Sequence, residues 1–185
     1  GRNDLLSGGA AQDGVLFWRQ GATGQLDAPR LIPAGVVSDL AVGDMNGDGR
    51  LDIVAALGNG TSANVAVVLQ QADGSFAPPA TLSTGSVWGA SAVAVGDFNG
   101  DGRTDIAAST GGNTPTSIAL WHQSAGGTMA GPVFHDSHDM PTSIRAADID
   151  GDGRLDLLVG HTGWMAVGIY LQTASGGLAP EERYA

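Results

Sequence analysis

Apolar residues fall along this chain in short runs separated by clusters of turn-forming residues. Four such runs follow one another in the stretch 37–82: VSDLAVGD (37–44), LDIVAAL (51–57), NVAVVLQ (64–70) and FAPPATL (76–82). They are rich in Val, Leu, Ile and Ala, are bounded by Gly, Asn, Asp and Ser, and are too short for helices, so each reads as a β-strand. Pro78 and Pro79 cannot donate ladder hydrogen bonds, which places the fourth run at a sheet edge. No segment sustains a helical period.

The pattern repeats. The phrase GDMNGDGRLDIV (43–54) returns as GDFNGDGRTDIA from Gly96 and as ADIDGDGRLDLL from Ala147. Its last aspartate recurs as Asp4, Asp52, Asp105 and Asp156, at intervals of 48, 53 and 51 residues. A second landmark, Gln20, Gln70, Gln123 and Gln172, is followed six positions later by Leu26, Phe76, Met129 and Leu178. Four turn-bounded strands per unit of about fifty residues, the first rich in Ala and Gly and the last bearing proline, predict an all-β chain of four-stranded antiparallel propeller blades. Small residues in the first strand suit the crowded position nearest the axis. A parallel solenoid has a shorter repeat and lacks four strands per turn. The expected blades are 36–86, 87–139 and 140–185, with strands two to four of another in 1–35, all in one propeller domain.

The phrase has a chemistry of its own. Counted from its first aspartate it reads D-x-[ND]-x-D-G-x-x-D, which places side-chain oxygens at positions one, three, five and nine and a glycine at six. In a tight loop those oxygens converge, and the carbonyl at position seven can join them. Such a set suits a hard cation that takes six to eight oxygen ligands. Without a cation the carboxylates repel one another. A solvated acidic turn is the plainer alternative for one copy, but three copies at matching places favour metal. Glutamate is missing at position twelve and the flanks are strands, so the loop is not an EF-hand. The expected ligands are Asp44, Asn46, Asp48, Asp52 and the Arg50 carbonyl; Asp97, Asn99, Asp101, Asp105 and the Arg103 carbonyl; Asp148, Asp150, Asp152, Asp156 and the Arg154 carbonyl. Asp4 and the Arg2 carbonyl are the remainder of a fourth, partial site. Ca²⁺ is expected over Mg²⁺, which keeps more of its waters and demands stricter geometry.

The phrases DMNGDGRLDI, DFNGDGRTDI and DIDGDGRLDL, with following segments such as DGSFAPP, resemble the FG-GAP/VCBS repeats of integrin-α-type β-propellers. The likeness spans essentially the whole chain and is most specific at the loops. The Phe-Gly and Gly-Ala-Pro signatures are replaced by FAPP, LDAP, MAGP and LAPE. The resemblance implies a calcium-loaded hairpin between the first two strands of each blade, usually in a seven-bladed extracellular domain. It also implies partner binding on the rim away from the metal. The blades here would then be part of a larger ring, completed by flanking sequence, by self-association or by a second chain.

Composition narrows the function classes. The net charge is −11 with only eight Lys plus Arg, which disfavours nucleic acid, since phosphates must be neutralised by cations. Eleven of the nineteen Asp and Glu, counting Asp4, sit in the loops, and three Ca²⁺ ions would bring the net charge to −5. No apolar run is long enough to insert into a membrane. There is no Cys, no Gly-flanked serine nucleophile and no phosphate-cradling loop, so a non-catalytic module is expected. Weak calcium sites fill more readily outside cells than in cytosol, which favours an extracellular or cell-surface home. On the rim opposite the loops fall Trp88, His135, His138, His161 and Trp164, where tryptophan faces can engage a protein or carbohydrate partner. Core packing is the plainer role for Trp164, as for Trp18 and Trp121, and a solvated loop is the plainer one for HDSHD (135–139). Recognition or adhesion is the leading function; a scaffold within a larger secreted enzyme, such as one degrading polysaccharide, is the alternative.

Overall fold

The structure is a computed structural model describing residues 3–9, 13–58, 65–85, 88–110, 117–163 and 165–185. Among these residues every regular element is a strand. The first sheet holds β1 (Leu5–Gly9), β2 (Gly14–Trp18) and β3 (Arg30–Pro33). The second holds β4 (Val37–Gly43), β5 (Asp52–Leu57), β6 (Val65–Val68) and β7 (Ala80–Leu82). The third holds β8 (Val93–Gly96), β9 (Asp105–Ser109), β10 (Ser117–Gln123) and β11 (Met129–Asp136). The fourth holds β12 (Pro141–Ala147), β13 (Asp156–His161), β14 (Ala166–Tyr170) and β15 (Glu182–Tyr184). Each is an antiparallel meander in chain order.

The sheets stack as successive propeller blades and do not close into a ring, with β4, β8 and β12 side by side. Three apolar cores fill the three gaps between sheets. In β5, Ile53, Ala55 and Leu57 face the first sheet while Val54 and Ala56 face the third. Burial on both faces is why the second strands read as unbroken apolar runs instead of alternating with polar residues. Fully burying a Val or Ile contributes about 1.5–3 kcal/mol, so most of the adhesion between blades comes from these middle strands. Trp121 is buried in the second gap, as expected, whereas Trp18 is only half-buried.

The fourth strand differs from the sequence reading. The run 76–82 does not form one strand: Phe76 bridges Gln70, the chain then leaves the ladder across Pro78 and Pro79, and β7 begins at Ala80. Two consecutive residues without an N–H cannot continue the pairing. The Gln landmark marks this bridge in every blade: Gln20 pairs with Leu26, Gln70 with Phe76, Gln123 with Met129 and Gln172 with Leu178.

Candidate metal centre

Each acidic loop joins the first and second strands of a blade and is shaped by its own carboxylates. Asp44 Oδ1 accepts the N–H groups of Gly47 at 2.7 Å and Asp48 at 3.1 Å, and its Oδ2 accepts that of Gly49 at 2.8 Å. Asp97 makes the same three bonds to Gly100, Asp101 and Gly102, and Asp148 to Gly151, Asp152 and Gly153. Asn46 Oδ1, Asn99 Oδ1 and Asp150 Oδ1 accept from the residue two positions on. The backbone therefore wraps around the first aspartate. Glycine at position six has positive φ, +80° at Gly49, as the sequence implied. Position four does too, +78° at Gly47, a need the sequence reading missed.

The ninth-position aspartates close the hairpins. Asp52 is buried; its Oδ2 accepts Met45 N–H and its Oδ1 accepts Gln70 N–H, both at 2.8 Å. Asp105 does the same for Phe98 and Gln123, and Asp156 for Ile149 and Gln172. The exposed Asp4 keeps one of these bonds, from Gln20 N–H at 2.8 Å. The fifth-position residues Asp48, Asp101 and Asp152 pair with the guanidinium groups of Arg50, Arg103 and Arg154. Each Nε of those arginines donates to the carbonyl of Gln70, Gln123 or Gln172. The arginines thus staple the loop to the turn between the third and fourth strands, which lies on the same rim.

The electrostatics inside one loop are divided. Burial raises the Asp52 carboxyl above the ordinary carboxylate range, opposed by the Gln70 and Met45 N–H groups and reinforced by the negative charges of Asp48 and Asp44. Burial pushes Asp44 the same way, but four backbone N–H groups, from Gly49, Gly47, Asn46 and Asp48, hold it below that range. Charge is thus held firmly at position one and strained at position nine, a strain that a divalent cation would relieve. In the last loop the ligand atoms of Asp148, Asp150 and Asp156 lie within 4.8 Å of one another. The donor set is carboxylate and amide oxygen throughout, which fits a hard cation of the Ca²⁺ type.

The opposite-rim residues are placed differently from one another. Trp88 is 68% exposed, between β7 and β8. His135 is half-buried on β11, its ring edge-on to Tyr170 at 6.4 Å. His138 Nδ1 lies 2.9 Å from Arg183. His161 is 2% exposed, beneath the surface rather than on it, with its ring nitrogens 2.7 Å from Glu181 and 3.2 Å from the Asp139 carbonyl. Of these residues His135 and His138 border a groove of about 540 Å³ between the third and fourth blades, lined also by Asp136, Tyr170, Glu181 and Arg183. Sequence reading missed Tyr170, Glu181 and Arg183, because nothing local marks a residue that reaches across a blade gap. Arg2 and Trp164 lie outside the described residues.

Comparison with known proteins agrees with the repeat. The family model described as FG-GAP-like repeat matches residues 1–55 and 44–108, and that described as FG-GAP repeat matches residues 89–134 and 140–177. Among solved structures, the crystal structure of the V. cholerae biofilm matrix protein Bap1 matches with a TM-score of 0.45 and 19% identity, covering 92% of this chain and 27% of that one. This chain therefore spans about a quarter of the length of Bap1. No curated protein sequence matches it.

Proposed function

This chain belongs to the FG-GAP repeat family, and from that premise we propose that it is a non-catalytic, extracellular recognition module whose loops bind Ca²⁺. The ligands are the three sets 44–52, 97–105 and 148–156, with the carbonyls of Arg50, Arg103 and Arg154; Asp4 and Arg2 belong to a partial fourth. The observation that carries this reading is the threefold recurrence of one loop geometry, with a carboxylate accepting backbone N–H groups at position one and another buried at position nine. Bound Ca²⁺ supplies charge neutralisation and rigid hairpins, and the chain's own residues supply the oxygens. The four units 1–35, 36–86, 87–139 and 140–185 act as blades of one propeller, whose ring is completed by further sequence or another chain.

A protein or carbohydrate partner binds the rim away from the loops, where the exposed Trp88 offers a flat apolar face. Calorimetric titration should give three Ca²⁺ ions per chain, and Mg²⁺ should bind more weakly. A chain that takes up no Ca²⁺ would refute the metal reading. An immobilised glycan and matrix-protein panel tests the rim: Trp88→Ala combined with Trp164→Ala should abolish any binding found, and unchanged binding would move the partner surface elsewhere.

A further inference from the structure

Gln123 touches two acidic loops at once. Its main chain serves its own blade: the N–H donates to Asp105 Oδ1 at 2.9 Å and the carbonyl accepts from Arg103 Nε at 2.7 Å. Its side chain reaches back one blade, where Nε2 donates to the Asp44 carbonyl at 3.0 Å. Gln172 repeats the arrangement. Its main chain holds Asp156 and Arg154, and its Nε2 donates to the Asp97 carbonyl at 2.8 Å. Both glutamines are 3% exposed.

A second contact runs beside each of these bonds. Gly127, in the turn after Gln123, lies so near the preceding blade that a Cβ would stand 2.7 Å from the Asn46 carbonyl. Gly176 stands in the same way to the Asn99 carbonyl, at 2.8 Å. Positions one and three of a loop are therefore both seated against the following blade. The loops 44–52 and 97–105 thus form a directed series, each seated on the blade after it through one glutamine side chain and one bare turn.

We propose that Gln123 and Gln172 are positioning residues that hold the cation loop of the preceding blade, so that Ca²⁺ binding at one loop is coupled to the interface with the next blade. The proposal rests on the calcium reading above. A loop dense in carboxylates must be ordered against its own repulsion before a cation binds, and a hydrogen bond from the glutamine amide to the carbonyl of the first ligand residue supplies part of that order in advance. The coupling is reciprocal: whatever the glutamine adds to cation affinity, the cation adds to the seating of the blade. A buried glutamine amide requires a partner, and here the partner is the carbonyl of the residue that carries the first ligand. Cross-blade action separates this role from ordinary packing within a blade.

The test isolates one loop at a time in the full chain, with Ca²⁺ as the probe and calorimetry as the readout. In protein carrying Asp101→Ala and Asp152→Ala only the 44–52 loop keeps its full donor set, and Gln123→Met should lower its affinity about tenfold. In protein carrying Asp48→Ala and Asp152→Ala only the 97–105 loop remains; there Gln123→Met should change nothing and Gln172→Met should cause the loss. Circular dichroism checks that each variant is folded. Should Gln123→Met not fold, Gln123→Asn, which keeps an amide but falls short of the Asp44 carbonyl, reads the same contrast. Equal affinity in both backgrounds, or a loss at the glutamine's own blade, overturns the coupling and leaves calcium binding intact. Absence of Ca²⁺ uptake by the unsubstituted chain overturns both.

Discussion

The imidazole of His161 and the carboxylate of Glu181 meet at 2.7 Å within the last sheet, with the histidine side chain fully enclosed and the glutamate only 9% exposed. The second oxygen of Glu181 accepts the His138 N–H at 2.9 Å. One carboxylate, on the residue before β15, thus ties the connection between the third and fourth blades to the end of β13. Removing the carboxylate leaves a buried ring nitrogen without its hydrogen-bond partner, at a cost of about 1–3 kcal/mol. Glu181→Ala should therefore lower unfolding free energy by about 2 kcal/mol in urea titrations, whereas Glu181→Gln, which keeps the shape and one acceptor, should lower it less. Faster hydrogen exchange at the His138 amide would accompany the loss. An unchanged urea midpoint in Glu181→Ala would refute the tie.

Chelation should destabilise the chain through its loops. A ligand that binds only the folded state stabilises it by about 2.7 kcal/mol per site when its concentration is a hundred times Kd. Scanning calorimetry should show Tm falling on addition of EDTA and recovering with excess Ca²⁺. Asp48→Ala and Asp101→Ala should each remove one ion and a part of that shift. A Tm indifferent to Ca²⁺ would count against the metal reading.

Gly127 gives a sharper local test. Its φ is +74°, a conformation that costs an L-residue about 1–2 kcal/mol, and an added Cβ would collide with backbone instead of a movable side chain. Gly127→Ala should cost more than that strain alone and should weaken Ca²⁺ at 44–52. Gly74→Ala occupies the matching turn of the second blade at φ +78° with nothing within 4 Å of its Cβ, so it should show the strain without the collision. Equal stability losses in the two variants would mean that the contact with Asn46 carries no weight.

The repeated phrase was legible because a tight hairpin is governed by its own residues: alternation of Asp and Asn, glycine at position six, and apolar flanks suffice to specify loop and strands. The Gln landmark was legible as a period, and its ladder bridges are local as well. Its side-chain role was not, since the amide of Gln123 finds Asp44 only after two sheets have stacked. The same holds for Glu181 and Tyr170, whose partners His161, His138 and Asp136 are brought near by the fold alone. The run 76–82 was misjudged for a different reason. Its apolar content is that of a strand, but Pro78 and Pro79 stop the ladder within the run instead of only confining it to an edge.

His135 supplies a pH signature for the groove between the third and fourth blades. Burial lowers its pKa from the ordinary 6.5, the nearby charge of His122 lowers it further, and Asp136 opposes both. A histidine whose folded value lies below its unfolded one binds protons more readily when unfolded. Its share of the stability is thus complete above the unfolded value of about 6.5 and is lost progressively as pH falls from there through the folded value. His135→Phe keeps a ring against Tyr170 and removes the titration. With Ca²⁺ saturating, so that the loops are held constant, the stability difference between parent and variant should shift in favour of the variant as pH drops below about 6.5. Groups that do not interact with His135 are common to both proteins and cancel in that difference. A difference that stays flat from neutral to acid pH would show that His135 is as well solvated in the folded chain as in the unfolded one, and that the groove wall does not enclose it.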